Sequence, residues 1–176
     1  IQSNDDGGRD MLLTIFLAIV FCAAMALMLL SAVAFIQDNR FFFFSPKEAR
    51  DVIKQKDKEL FYGARKIGWT LFILSVLMIL GVGVISIWDG IRSGFTFVQF
   101  FLRFVLIFTI YKLCDMILID NFLLLKFHFF QYYYPEAENI MEGRKYGFNI
   151  RSQLLKLFVI FPAASALAAW ICSLFA

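Results

Sequence analysis

The chain has 176 residues, 61% of them hydrophobic, with 17 basic against 14 acidic side chains and a net charge of +3. So much apolar sequence in so short a chain, at a mean hydropathy of +0.74, leaves too little polar material for a separate water-soluble domain and points to one membrane domain over residues 1–176. A single histidine excludes bis-histidine haem ligation, histidine-box di-iron chemistry and multi-histidine zinc or copper sites within one chain.

A hydrocarbon core roughly 30 Å thick requires about 20 apolar residues. Four stretches meet or approach that length, residues 11–36, 67–88, 95–119 and 154–175. The predicted fold is therefore all-α, a polytopic membrane protein of four transmembrane helices. In the first stretch, Ala32-Val33-Ala34 has the small-x-small form of a signal-peptide cleavage site. Its apolar run is longer than a usual h-region and no basic segment precedes it, so it reads as a retained span.

The connection at residues 37–66 opens on four phenylalanines, residues 41–44, suited to the membrane interface. Ser45, Pro46 and Glu48 then form a capping-box signature, which predicts a short cytoplasmic helix running toward Phe61. It reads either as a surface helix that senses lipid or docks a partner, or as a solvated connector. The break in its apolar stripe at Gln55 to Lys58 favours the connector.

Gly81 and Gly83 in the second span, and Ala164 with Ala168 and Ser165 with Ala169 in the fourth, are small residues that let helix backbones approach closely. The same faces would serve self-association. Gly90 and Gly94 fall at the short connection after the second span and read as turn residues. Pro162 is expected to kink the fourth helix. Cys22, Cys114 and Cys172 stand alone in apolar helices and read as small buried hydrophobes.

The third span carries Gln99, Arg103, Lys112 and Asp115. Ionisable groups at membrane depth face the bundle interior or a polar cavity. Lys112 and Asp115, three apart, share a helix face and suggest a structural ion pair, while Arg103 is expected to snorkel to the outer surface with Gln99 one turn above it. Asp115 and Asp120 lie five apart, which on a regular helix separates their faces. With His128, Glu136 and Glu138 they make the densest group of acidic and imidazole side chains in the chain, and Asp115, Asp120, His128 and Glu138 are the candidate catalytic residues. A metal is not expected, nor any other cofactor. No disulfide-exchange, nucleophile-elbow, zinc-protease, phosphate-loop or nucleic-acid-binding motif is present.

Charge placement sets the topology. The connection at 37–66 holds eight Lys or Arg and that at 120–153 holds four, whereas the second-to-third connection offers Asp89 and Arg92 and the N-terminal segment Arg9 among three aspartates. The positive-inside rule puts both long loops in the cytoplasm and both termini outside the cell membrane.

Asp115 and Asp120 at the end of the third span, then Pro135 and Glu138, then Tyr146 and Phe148 resemble a pattern in uncharacterised bacterial four-helix integral membrane proteins. In those, an aspartate pair, a Pro-Gly-Thr-Glu-like turn and a Tyr-x-Phe-His element follow in that order. Glu136-Ala137 stand here in place of Gly-Thr, and Asn149 in place of His. The resemblance implies that the region from Asp115 to Asn149 is the functional end of the molecule.

Two functions fit these readings. The first is a non-enzymatic membrane subunit or scaffold, packing in the lipid bilayer with itself as a homo-oligomer or with another membrane protein, and it suits the 23 phenylalanines. The second is a membrane-embedded enzyme or transporter with its acidic and histidine site at the cytoplasmic end of the third span.

Overall fold

A computed structural model of the protein describes residues 2–38, 59–135 and 150–176. Every regular element among them is helical. Helix α1 (Gln2–Leu30) continues as a π-helical segment, π1 (Ser31–Ile36); α2 covers Ala64–Arg92; α3 (Phe97–Cys114) continues as π2 (Asp115–Lys126), followed by the short α4 (Phe129–Tyr133). After residue 149, α5 (Ile150–Leu155), π3 (Lys156–Ile160) and α6 (Phe161–Ser173) run without interruption.

Three stretches, Gly7–Ile36, Ala64–Arg92 and Ser152–Ser173, are long and apolar enough to cross a membrane. Only 22%, 17% and 11% of their most apolar windows are buried inside the protein. Helices that are apolar all round and bare on most of their surface suit lipid rather than water. The stretch read as a third span corresponds to α3, whose 18 residues reach about 27 Å. It buries two cationic side chains, Arg103 and Lys112, each 3% exposed.

The helix predicted from Ser45 lies outside the described residues except at its far end. There residues 59–63 form a turn: the Gly63 N–H donates to Glu59 Oε2 at 2.9 Å, and Gly63 itself has φ 87°. The chain enters α2 at Ala64, three residues before the sequence reading placed the span.

The passage from α2 to α3 shows why helices end and begin there. The Phe95 N–H donates to the Gly90 carbonyl at 2.9 Å and the Gly94 N–H to that of Ile91 at 3.1 Å, with Gly94 at φ 63°. That is a Schellman cap, and it needs a residue free to adopt the left-handed conformation. Thr96 then starts α3 with half of a capping box: Gln99 Oε1 accepts from the Thr96 N–H at 2.8 Å and from its hydroxyl at 2.9 Å. Phe95 and Phe100, flanking that cap, meet edge to face at 5.5 Å as a hydrophobic staple. Gly90, expected in the turn, is instead inside α2. A Cβ built on it would stand 2.3 Å from Phe100 Cε1, so its role is close packing.

The chain divides into two compact units. One comprises Ile1–Ala24, Leu77–Cys114 and Arg151–Ala176. Within it α3 packs along α6, and a core of Phe95, Phe100, Phe104, Ala169 and Cys172 is fully or almost fully buried, with Ala168 against it. Leu17 and Ala18 of α1, Val82 of α2 and Ile107 of α3 form a second core. Phe108 stacks on Phe161 at 5.2 Å and receives Phe21 edge-on at 6.0 Å. Of the small-residue pairs in the fourth span, Ser165 and Ala169 are buried, whereas Ala164 is exposed.

The other unit comprises Met25–Val76 and Asp115–Ile150. Its centre is π1, where Ser31, Ala32, Val33, Ala34 and Ile36 are buried. The Ala32-Val33-Ala34 triplet is thus packed inside the unit. Gly68 of α2 admits π1 closely: a Cβ there would stand 2.7 Å from Phe35 Cβ and 2.9 Å from Ile36 Cγ1.

Three π segments were not expected from the sequence. Their register shows in the hydrogen bonds: the Gln37 N–H donates to the Ala32 carbonyl and the Phe127 N–H to that of Phe122, both at 3.0 Å, each spanning five residues. At π3 the Phe161 N–H likewise bonds back to Lys156. Pro162 follows directly with no N–H to donate, so the irregularity expected at the proline takes the form of a changed helical register.

Candidate functional site

Arg103 was expected to snorkel outward, and the structure places it inside. Its guanidinium is held at three points. Nη1 donates to Asp89 Oδ2 at 2.8 Å and to the Ser86 carbonyl at 3.1 Å, and Cζ lies 4.3 Å from the centroid of the Phe95 ring. Asp89 and Ser86 belong to the last turns of α2, where exposed carbonyls and the helix dipole favour a cation. The ring adds a cation–π contact. Asp89, 21% exposed, is the ion-pair partner of Arg103.

The anchoring is incomplete. Arg103 Nε and Nη2 are buried without a hydrogen-bond partner, as is the hydroxyl of Ser86. A buried donor left unmade costs roughly 1–3 kcal/mol. Arg103 also lines a groove of about 220 Å³. One wall comes from α1, with Gly7, Asp10, Met11 and Thr14; the other is Phe95, Gln99, Leu102, Arg103 and Leu106. Thr14 is spent internally, its hydroxyl donating to the Asp10 carbonyl at 2.7 Å.

The residues singled out in sequence are distributed otherwise. Lys112 closes α3 and is buried, and Asp115 opens π2 half-buried. Asp120 lies on the backbone of π2. In an i→i+5 helix, backbone positions five apart fall on one side of the axis; just past the end of π2 the Phe127 ring meets that of Phe122 edge-on at 4.8 Å. The backbone positions of Asp115 and Asp120 are therefore closer around the axis than the about 140° a regular α-helix would impose. His128 is exposed, with φ 49°, at the start of α4, where its carbonyl accepts from the Tyr132 N–H at 2.9 Å. Glu136, Glu138, Tyr146, Phe148 and Asn149 lie outside the described residues. Among the described residues no three of His, Cys, Asp or Glu come together as metal ligands.

Among the described residues nothing beyond α2 itself lies within 4 Å of a Cβ built on Gly81 or on Gly83, so neither makes the close helix approach expected of it there. The chain matches no family model, no curated protein and no solved structure.

Proposed function

We propose that this is a four-span membrane protein, α3 with the start of π2 making the third crossing, whose role is that of a non-enzymatic subunit or scaffold packing with a second copy or with another membrane protein. Both termini then lie on the extracytoplasmic side. The observation that supports this reading best is the face of α2 around Gly81, where no described residue beyond the helix comes within 4 Å of a Cβ built on the glycine and exposed Leu77, Leu80, Val84 and Ile85 flank it. Small residues set among apolar ones let a further helix approach closely in lipid. Mass in mild detergent, with and without crosslinking in the membrane, tests it. A dimer or a stable hetero-complex weakened by Gly81→Ile is the expected result; a monomer under every condition overturns it.

A second reading, an enzyme or transporter using Asp115, Asp120, His128 and Glu138, draws support from π2. Its register removes the geometric objection to pairing the two aspartates. π segments also occur often at functional sites.

A further inference from the structure

We propose that the groove beside Arg103 holds the headgroup of a phospholipid bearing a phosphate and a primary ammonium, the phosphate accepting from the guanidinium and the ammonium donating to Asp10. The inference takes the membrane location from the reading above and is independent of the scaffold role.

The guanidinium supplies the first half of the recognition. With Nη1 committed to Asp89 and Ser86, the atoms left without partners are Nε and Nη2. These form one edge of the planar group, the edge that meets an oxyanion with two parallel hydrogen bonds. At 3% exposure that edge is closed to water, so a phosphate engages it only as the neighbouring side chains move aside, and an acceptor brought by a ligand would then relieve a standing penalty.

Charge supplies the second half. The groove is lined by one carboxylate, Asp10, and by the guanidinium, which Asp89 already neutralises. A purely anionic ligand would therefore meet two carboxylates and one cation. A headgroup carrying its own cation adds no further net negative charge to the groove, and its ammonium offsets the Asp10 carboxylate. The form of that cation follows from what lines the groove. A quaternary ammonium is recognised by open aromatic faces, and the aromatic side chain here, Phe95, already carries Arg103 over its ring and packs against Phe100. A primary ammonium needs acceptor oxygens instead, which Asp10 provides.

Size and surroundings agree. About 220 Å³ is many times the room a single water requires and suits a polar headgroup. Met11, Leu102 and Leu106, which line the same groove, are 60%, 53% and 37% exposed. They offer acyl chains an apolar path from the headgroup.

The test is native mass spectrometry of the full chain in mild detergent, titrated with phosphatidylethanolamine, phosphatidylcholine and phosphatidylglycerol of matched acyl chains. One phosphatidylethanolamine should be retained per chain, with about tenfold preference over either competitor, as one additional charge-assisted hydrogen bond implies. Asp10→Asn should bring phosphatidylethanolamine down to the level of phosphatidylcholine, and Arg103→Lys, which removes the paired donors, should weaken all three. Should Arg103→Lys not fold, the Asp10→Asn comparison decides alone. Equal retention of the three lipids, preference for phosphatidylglycerol, or an ethanolamine preference unchanged in Asp10→Asn overturns the proposal. The same spectra report oligomeric state, so an oligomer without lipid preference defeats the groove alone, and a monomer with it defeats the scaffold alone.

Discussion

Adding one methyl group at Gly90 should destabilise the protein, although the same change at Gly81 should stabilise it. Both glycines lie within α2, where exchanging Gly for Ala contributes about 0.8–1 kcal/mol of helix propensity. The difference is what the new Cβ meets. At Gly81 it meets nothing within 4 Å, whereas at Gly90 it meets Phe100 Cε1 at 2.3 Å, Cζ at 2.8 Å and Cδ1 at 3.1 Å. Phe100 has little room to yield: it is 0% exposed, with Phe95 edge-on at 5.5 Å and Phe104 stacked at 6.1 Å. Overpacking of this kind costs about 1–3 kcal/mol, so Gly90→Ala should lose up to about 2 kcal/mol net, and Gly81→Ala should gain somewhat under about 1. At about 2–4 °C per kcal/mol for a chain of this size, the two variants should unfold several degrees apart. Circular dichroism melting in detergent measures this. Phe100→Leu placed in the Gly90→Ala background should recover part of the loss, since the two positions are in contact. A Gly90→Ala variant that melts with or above Gly81→Ala would refute the packing argument.

Three further outcomes are expected. Asp89→Leu alone, stranding the Arg103 guanidinium, should cost about 3–5 kcal/mol, and the double variant Asp89→Leu/Arg103→Met should lose less than the sum of the singles; strictly additive losses in denaturation would show that the pair is not coupled. For topology, an impermeant thiol reagent should label Ser93→Cys in intact cells and Lys56→Cys only after permeabilisation, and external labelling at Lys56 would reverse the orientation. Elemental analysis of protein purified without chelator should find no stoichiometric metal; a metal that disappears in both Asp120→Asn and Glu138→Gln would favour the enzyme or transporter over the scaffold.

Hydropathy made the long apolar helices legible because lipid-facing helices need only length and composition, and α1, α2 and the helix ending at Ser173 follow it closely. The α2–α3 corner was also written in the sequence, but in a code that hydropathy does not read. Thr96 with Gln99 is a capping pair, Phe95 with Phe100 a staple, and Gly94 the left-handed cap residue. Reading those three signals together would have placed Gly90 inside the helix rather than in the turn. The Arg103–Asp89 pair was not legible in the same way. Fourteen residues separate the two, and only the Schellman turn, by folding α3 back along the end of α2, brings the aspartate under the guanidinium.

The π segments mark a deeper limit. An i→i+5 register differs from i→i+4 by one residue per turn, a change that average propensity and apolar periodicity do not resolve over short stretches. Its consequence for function is large, because it changes which side chains share a face. On an α-helix the spacing of Asp115 and Asp120 speaks against a paired site; in π2 the same spacing brings their backbone positions to one side of the helix. The premise that failed there is the assumed α-helical pitch. Spacing arguments in this chain hold only where the helical register is known, as it is for Thr14 and Asp10, four apart on α1 and joined hydroxyl to carbonyl. The groove beside Arg103 draws its α1 wall from that regular stretch and its opposite wall from the capped start of α3, so its geometry does not depend on the π register.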